Sequence, residues 1–198
     1  MHLTQEHRDE IRALYLQQVP YAKIVKRFGC SESNFWNVVR GLQFQVREEY
    51  FQYNVTRLNT LTEAQKGWIA GIVDGEGYIG LVENNPPDRK RSLTPRIDVT
   101  STTRIMQTTL RRLVGGCVGQ PRDGKPNEKP QHAWSLWAVE TVGPFLQVIT
   151  PYLIVKRRVA HVVLDFCERR RAVRGQPYDA RDWRALKRVR ELNKRGRS

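Results

Sequence analysis

Asp74 and Glu76 stand two residues apart with glycines on both sides, in the run Val73-Asp74-Gly75-Glu76-Gly77. The apolar stretch before them reads as a helix that starts at Thr62, where Thr62 and Gln65 have capping-box spacing. Both carboxylates therefore fall at the C-terminal end of that helix. The macrodipole is negative there, and each acidic group is disfavoured by about 0.3–1 kcal/mol. One reading is a solvated acidic turn. The other is that the carboxylates grip a cation, and a hard divalent ion such as Mg²⁺ suits carboxylate and carbonyl oxygens.

The same helix carries Gly67, Gly71 and Gly75 four residues apart, with Ala70 beside Gly71. Each helical glycine costs about 1 kcal/mol against alanine. A row of them leaves a flat stripe that lets another backbone approach, either within the chain or from a second copy. Lys156-Arg157-Arg158 opens a later helix, the one that follows Pro151. Cations at a helix N-terminus face the wrong pole. They fit if a phosphate binds there; the bland alternative is a solvated basic turn.

Net charge decides which partners are plausible. The chain of 198 residues carries +14, and residues 61–198 hold 26 basic against 14 acidic side chains, hence +12 of the total. Such a balance points to a polyanion, most simply nucleic acid, with a ribosomal or solubility role as the alternatives. Cys30, Cys117 and Cys167 are too few and too scattered for a disulfide framework or a zinc site. No apolar run reaches the roughly 20 residues of a membrane span, and the polar start shows no secretory signal. The expectation is a soluble, intracellular, DNA-associated protein.

The elements that must position these groups fall into two domains joined by a linker. Residues 4–17 read as a helix capped by Thr4, a second helix begins near Pro20, and Gly29-Cys30 turns into a third capped by Ser31. Residues 24–41, IVKRFGCSESNFWNVVRG, resemble the helix-turn-helix segments of bacterial and phage DNA-binding proteins. In such units the last helix enters the major groove. Its outward residues here are Ser33, Asn34, Asn37 and Arg40. A three-helix packing module is the other reading. The helix-turn-helix domain spans 1–45, a linker 46–60 that is partly helical around Val46–Tyr53, and the second domain 61–198.

The second domain reads α-ββ-α-ββ-α-α, an α+β class with an antiparallel sheet covered by helices on one face. The strands are placed near Tyr78–Val82, Arg96–Thr100, Cys117–Arg122 and His132–Val139. Helices follow over 103–114, 141–150 and 151–170, then a last basic helix capped by Asp179. Ile105 and Val155 are expected on apolar faces, and Trp68, Trp137 and Trp183 in the core.

At residues 69–77 the sequence Ile-Ala-Gly-Ile-Val-Asp-Gly-Glu-Gly is similar to the signature of the LAGLIDADG homing endonucleases. The element order, TPYLIVKRRVAHVVLDF at 150–166 and ELNKRG at 191–196 resemble the family too. The resemblance covers about residues 61–195. It implies a LAGLIDADG core behind a small all-α domain, and a metal-dependent endonuclease, often intron-encoded, that makes a double-strand break.

The resemblance also assigns roles. Glu76, where aspartate is commoner, is the catalytic acid and metal ligand for Mg²⁺ or Mn²⁺, with the Gly75 carbonyl as a further ligand. Lys156 matches a catalytic lysine, and Ser101 a polar residue after the second strand. Asp74 ranks as structural. With one motif per chain, Gly67, Ala70 and Gly71 pack on a second copy, and the homodimer reads a long pseudo-palindromic site. Two hairpins form a sheet in the major groove. Their candidate contacts to double-stranded DNA are Tyr78, Arg89, Lys90, Arg91, Arg96, Arg122, Lys125, Lys129, His132 and Trp134, joined by Arg157 and Arg158. Two alternatives come with the scaffold: a maturase that binds intron RNA, and a transcription regulator that does not cut.

Overall fold

Thr4 and Ser31 both close helices. Thr4 Oγ1 accepts from the His7 amide (3.2 Å) and Ser31 Oγ from the Asn34 amide (3.2 Å), each satisfying a donor that a helix start leaves open. The structure is a computed structural model describing residues 3–194 apart from 18, 41, 88–89 and 121–128, and the backbone alone of 43–46. Two compact units divide between Tyr53 and Asn54.

The first unit holds α1 (Gln5–Leu16), α2 (Tyr21–Phe28) and α3 (Glu32–Val38). Gly29 ends α2 at φ 58°, a left-handed conformation that glycine adopts without strain. Ile11, Ile24, Phe28, Phe35, Val38 and Val39 form its core. A helix, α4 (Gln43–Asn59), runs through the segment read from sequence as a linker and crosses the division between the units.

In the second unit α5 (Glu63–Glu76) leads into β1 (Gly77–Asn84) and β2 (Ser92–Ser101). Then come α6 (Arg104–Val114), β3 (Cys117–Val118), β4 (His132–Trp137), α7 (Val139–Ile149), a 3₁₀ turn (Thr150–Tyr152), α8 (Arg157–Ala172) and α9 (Ala180–Lys194). The sheet is antiparallel in the order β1-β2-β4-β3. Period-two alternation sends Leu93, Ile97 and Val99 of β2, with Ile79, Leu81, Trp134 and Leu136, into the helix-covered core. Val73, Phe145, Val163 and Phe166 meet them from the helices. The α-ββ-α-ββ-α-α order is as expected, and so is the last basic helix after it, α9.

Several local expectations fail. The helix expected from Pro151 starts at Arg157, because the chain first makes the 3₁₀ turn and extends at Leu153 (ψ 140°). Val155 is consequently outside the helix and 74% exposed. Ile105 is 72% exposed, and the buried face of α6 is Gln107, Leu110 and Val114 instead. Trp68 and Trp137 are exposed, not core. β3 is only Cys117–Val118, and the residues expected to carry it on reach Pro121 and Arg122, which lie outside the described residues.

Candidate active site

The capping box at the start of α5 forms as the sequence predicts. Gln65 Oε1 accepts from the Thr62 amide (2.9 Å), and Thr62 Oγ1 from the Gln65 amide (3.2 Å). At its other end α5 passes into β1 with no intervening loop. Gly77 makes this junction: its amide donates to the Val73 carbonyl, and an added Cβ would lie 2.6 Å from that oxygen. Glu76 is thus held at the meeting point of helix and sheet.

The two carboxylates separate in role. Asp74 Oδ2 accepts from the Ile154 amide (2.6 Å) and Oδ1 from the Lys156 amide (2.8 Å). It is a cross-brace, which agrees with the structural role expected of it. Those amides lie just ahead of α8, so their dipoles offset the unfavourable pole of α5. Glu76 is exposed, and among the described residues it has no hydrogen bond or ion pair. Lys156, the residue that caps α8, donates through Nζ to the Asp74 carbonyl. Burial pushes its ammonium below the ordinary lysine range, while Asp74 and Glu76 act in the opposite direction. The structure therefore gathers Asp74, Glu76 and Lys156 from residues 82 apart at the extremes.

Ser101 is placed differently. Its hydroxyl accepts from the Thr103 amide (3.1 Å) at the start of α6, and the register sets it opposite His132. No hydrogen bond joins it to Glu76 or Lys156 among the described residues. Arg157 is spent largely on the chain itself, donating from Nε to the Leu153 carbonyl (2.6 Å) and from Nη2 to that of Pro151 (3.1 Å). Arg158 is exposed.

Among the described residues no three His, Cys, Asp or Glu side chains gather into a metal cluster. The donor set offers one unengaged carboxylate, Glu76, beside the exposed Gly75. That fits a hard ion such as Mg²⁺, which takes one or two carboxylates and completes its shell with water and phosphate oxygens.

On the uncovered face of the sheet Tyr78 stands opposite Asp98, and Arg96 opposite Trp137. Arg96 lies 2.6 Å from Asp98 Oδ2 and 5.3 Å from the Trp137 ring centroid. Ser135 Oγ donates to Asp98 Oδ1 (2.6 Å). The Tyr78 ring covers Gly80, where a Cβ would be 2.1 Å from the phenol oxygen. Burial, then the Asp98 charge, pushes the Tyr78 hydroxyl up from its ordinary range. Sequence reading missed Asp98, Ser135 and Trp137, although the alternation through Thr94, Arg96, Asp98 and Thr100 marks that face.

Two candidate contacts are corrected. Trp134 is fully buried and its Nε1 donates to the Gly115 carbonyl (2.7 Å), because its strand parity is that of Leu136. His132 has the same parity and so belongs to the helix-covered side. Lys90 and Lys129 are exposed outside the strands, and Arg91 pairs with Glu83. Arg89, Arg122 and Lys125 lie outside the described residues.

The glycine row also sorts itself. Gly67, Gly71 and Gly75 are exposed, with nothing within 4 Å of an added Cβ. Ala70 is 1% exposed and packs into the chain's own core, so it does not belong to that open face. Trp68, Ile154 (82% exposed) and Val155 (74% exposed) are apolar and uncovered as well. In the first unit Ser33, Asn34, Asn37 and Arg40 all face outward, and Arg40 Nη2 donates to Asn37 Oδ1 (3.1 Å).

No family model and no curated protein matches the chain. Solved structures do. The archaeal intron-encoded homing endonuclease I-Vdi141I, complexed with DNA, has a TM-score of 0.53 at 20% identity, over 67% of this chain and 84% of that one. The homing endonuclease I-CvuI, in complex with the I-CreI target, has a TM-score of 0.47 at 19% identity, over 67% of this chain and 94% of that one. The LAGLIDADG homing endonuclease I-GzeII, with its DNA target, has a TM-score of 0.49 at 10% identity, over 64% of this chain and 43% of that one. With the strand order and the helix-to-strand junction described above, the likeness to I-Vdi141I shows that the chain carries the fold of the LAGLIDADG homing endonucleases.

Proposed function

We propose that this chain is a site-specific endonuclease that cuts double-stranded DNA as a homodimer, with a divalent ion such as Mg²⁺ or Mn²⁺. The observation that carries the reading is Glu76, a carboxylate left unengaged where α5 meets the sheet, next to a half-buried lysine. The description of I-Vdi141I as a DNA complex supports the choice of substrate.

Glu76 and the Gly75 carbonyl would hold the ion, which when bound supplies charge neutralisation at the phosphate and a more acidic water. Asp74 fixes the turn before α8 and so fixes where Lys156 stands. Lys156 points its Nζ into the site and, when protonated, sets a positive charge against the scissile phosphate. The uncovered face of the sheet, with Tyr78 and Arg96, enters the major groove, with Lys90, Lys129 and Arg158 near phosphates. A second copy packs on Gly67 and Gly71 with Trp68, Ile154 and Val155 around them, which brings two Glu76 side chains to the two strands. The α2–turn–α3 segment acts as a helix-turn-helix that adds contacts through Ser33, Asn34, Asn37 and Arg40.

The test is selection of bound duplexes from a random library, followed by incubation with Mg²⁺ or with EDTA. Double-strand cleavage with Mg²⁺ only, lost in Glu76→Gln while binding persists, is the expected result. Tight sequence-specific binding with intact DNA under every divalent ion would replace the nuclease with a regulator.

A further inference from the structure

We infer that the cleft between the β1–β2 hairpin and α9 is a clamp for the phosphodiester backbone of double-stranded DNA. It rests on the DNA-binding reading above, and adds a surface on the helix that follows the α-ββ-α-ββ-α-α core. β1 is an edge strand, and α9 is tied to it at two points. Asn193 Nδ2 donates to the Ile79 carbonyl (3.0 Å), and Arg190 Nη2 to Glu83 Oε2 (3.1 Å). Leu186 and Val189 turn the apolar side of α9 into the core, which leaves its basic side outward.

The cleft has a volume of about 380 Å³, with Arg91, Trp183, Lys187, Arg190 and Lys194 on its walls. Its two acids are already engaged. Glu83 pairs with Arg91 and Arg190, and Glu191 with Arg188 (3.4 Å). Arg91 is further held with its guanidinium 4.5 Å from the Trp183 ring centroid. Lys187 and Lys194 have no ion pair among the described residues and are exposed. A concave wall with excess positive charge concentrates anions. The cleft lies beside the strand edge, away from the uncovered face where base edges would be read. Lysine ammoniums are point charges without the planar fork that reads guanine, so the fitting ligand is phosphate.

The test measures binding of the full chain to a random-sequence duplex as salt is raised. Each phosphate neutralised contributes about 0.9 to the slope of log affinity against log salt. Lys187→Ala with Lys194→Ala lowers that slope by about 1.8, weakens all sequences alike, and is rescued by arginine at both positions. Arg181→Ala with Arg184→Ala removes the same charge from α9 outside the cleft and leaves the slope in place. An unchanged slope in the lysine pair, an equal loss in the arginine pair, or a loss seen only with RNA overturns the clamp. A flat salt response in the unaltered chain removes the DNA-binding reading itself, and the clamp with it.

Discussion

Asp74 and Glu76 carry the same charge two residues apart, yet only one is available for chemistry. Asp74 is consumed by two backbone amides across the fold. Asp74→Ala leaves those donors without their charged partner and is expected to cost about 1–3 kcal/mol, read as a lower midpoint in urea. Lys156 follows a different sign. Its ionisation is lowered in the folded chain, so between the folded and the ordinary lysine value the unfolded chain binds more protons, and stability rises with pH. Relative to Lys156→Met, the unaltered chain should therefore gain stability as pH climbs from neutral toward the ordinary lysine range, while cleavage is lost in the variant and kept in the unaltered chain. A gap that is flat with pH contradicts this. Glu76 and Lys156 were legible in the sequence because each sits at the wrong pole of a helix. The brace from Asp74 was not, since it joins residues 80 and 82 apart. The tryptophans show the limit at short range: Trp134 and Trp137 exchange their expected places because one residue of strand register reverses the face.

At the level of elements, the glycine face of α5 makes two effects separable. Nothing lies within 4 Å of an added Cβ at Gly71, so Gly71→Ala should stabilise the isolated helix by up to about 1 kcal/mol. The same methyl should weaken self-association. Melting at high dilution and sedimentation across concentration measure the two; a higher melting temperature with unchanged association removes the dimer face from α5. Thr62→Ala breaks the capping box and should cost about 1 kcal/mol. Helices with clear caps, α1, α3 and α5, were placed from sequence to within a residue or two. The start of α8 was not, because an apolar register cannot register that Asp74 captures the amides ahead of it.

On the scale of the molecule, each of the two units has its own core, one around Phe35 and one around Val73 and Trp134. Deleting residues 1–45 is expected to weaken DNA affinity while cleavage chemistry persists, measured by single-turnover rates at saturating protein. Equal affinity without the segment rules out its DNA role. The α+β class, the element order and the concentration of charge in residues 61–198 could all be read from sequence, since they depend on periodicity and composition. The helix that fills the expected linker could be read only in part, around Val46–Tyr53, because residues 43–60 lack clean periodicity. The most direct measurement is Mg²⁺-dependent cleavage of a selected duplex by the unaltered chain and by Glu76→Gln, with binding followed in parallel. The account predicts both strands cut by the first, neither by the second, and the same affinity for both. Cleavage that survives Glu76→Gln would contradict it.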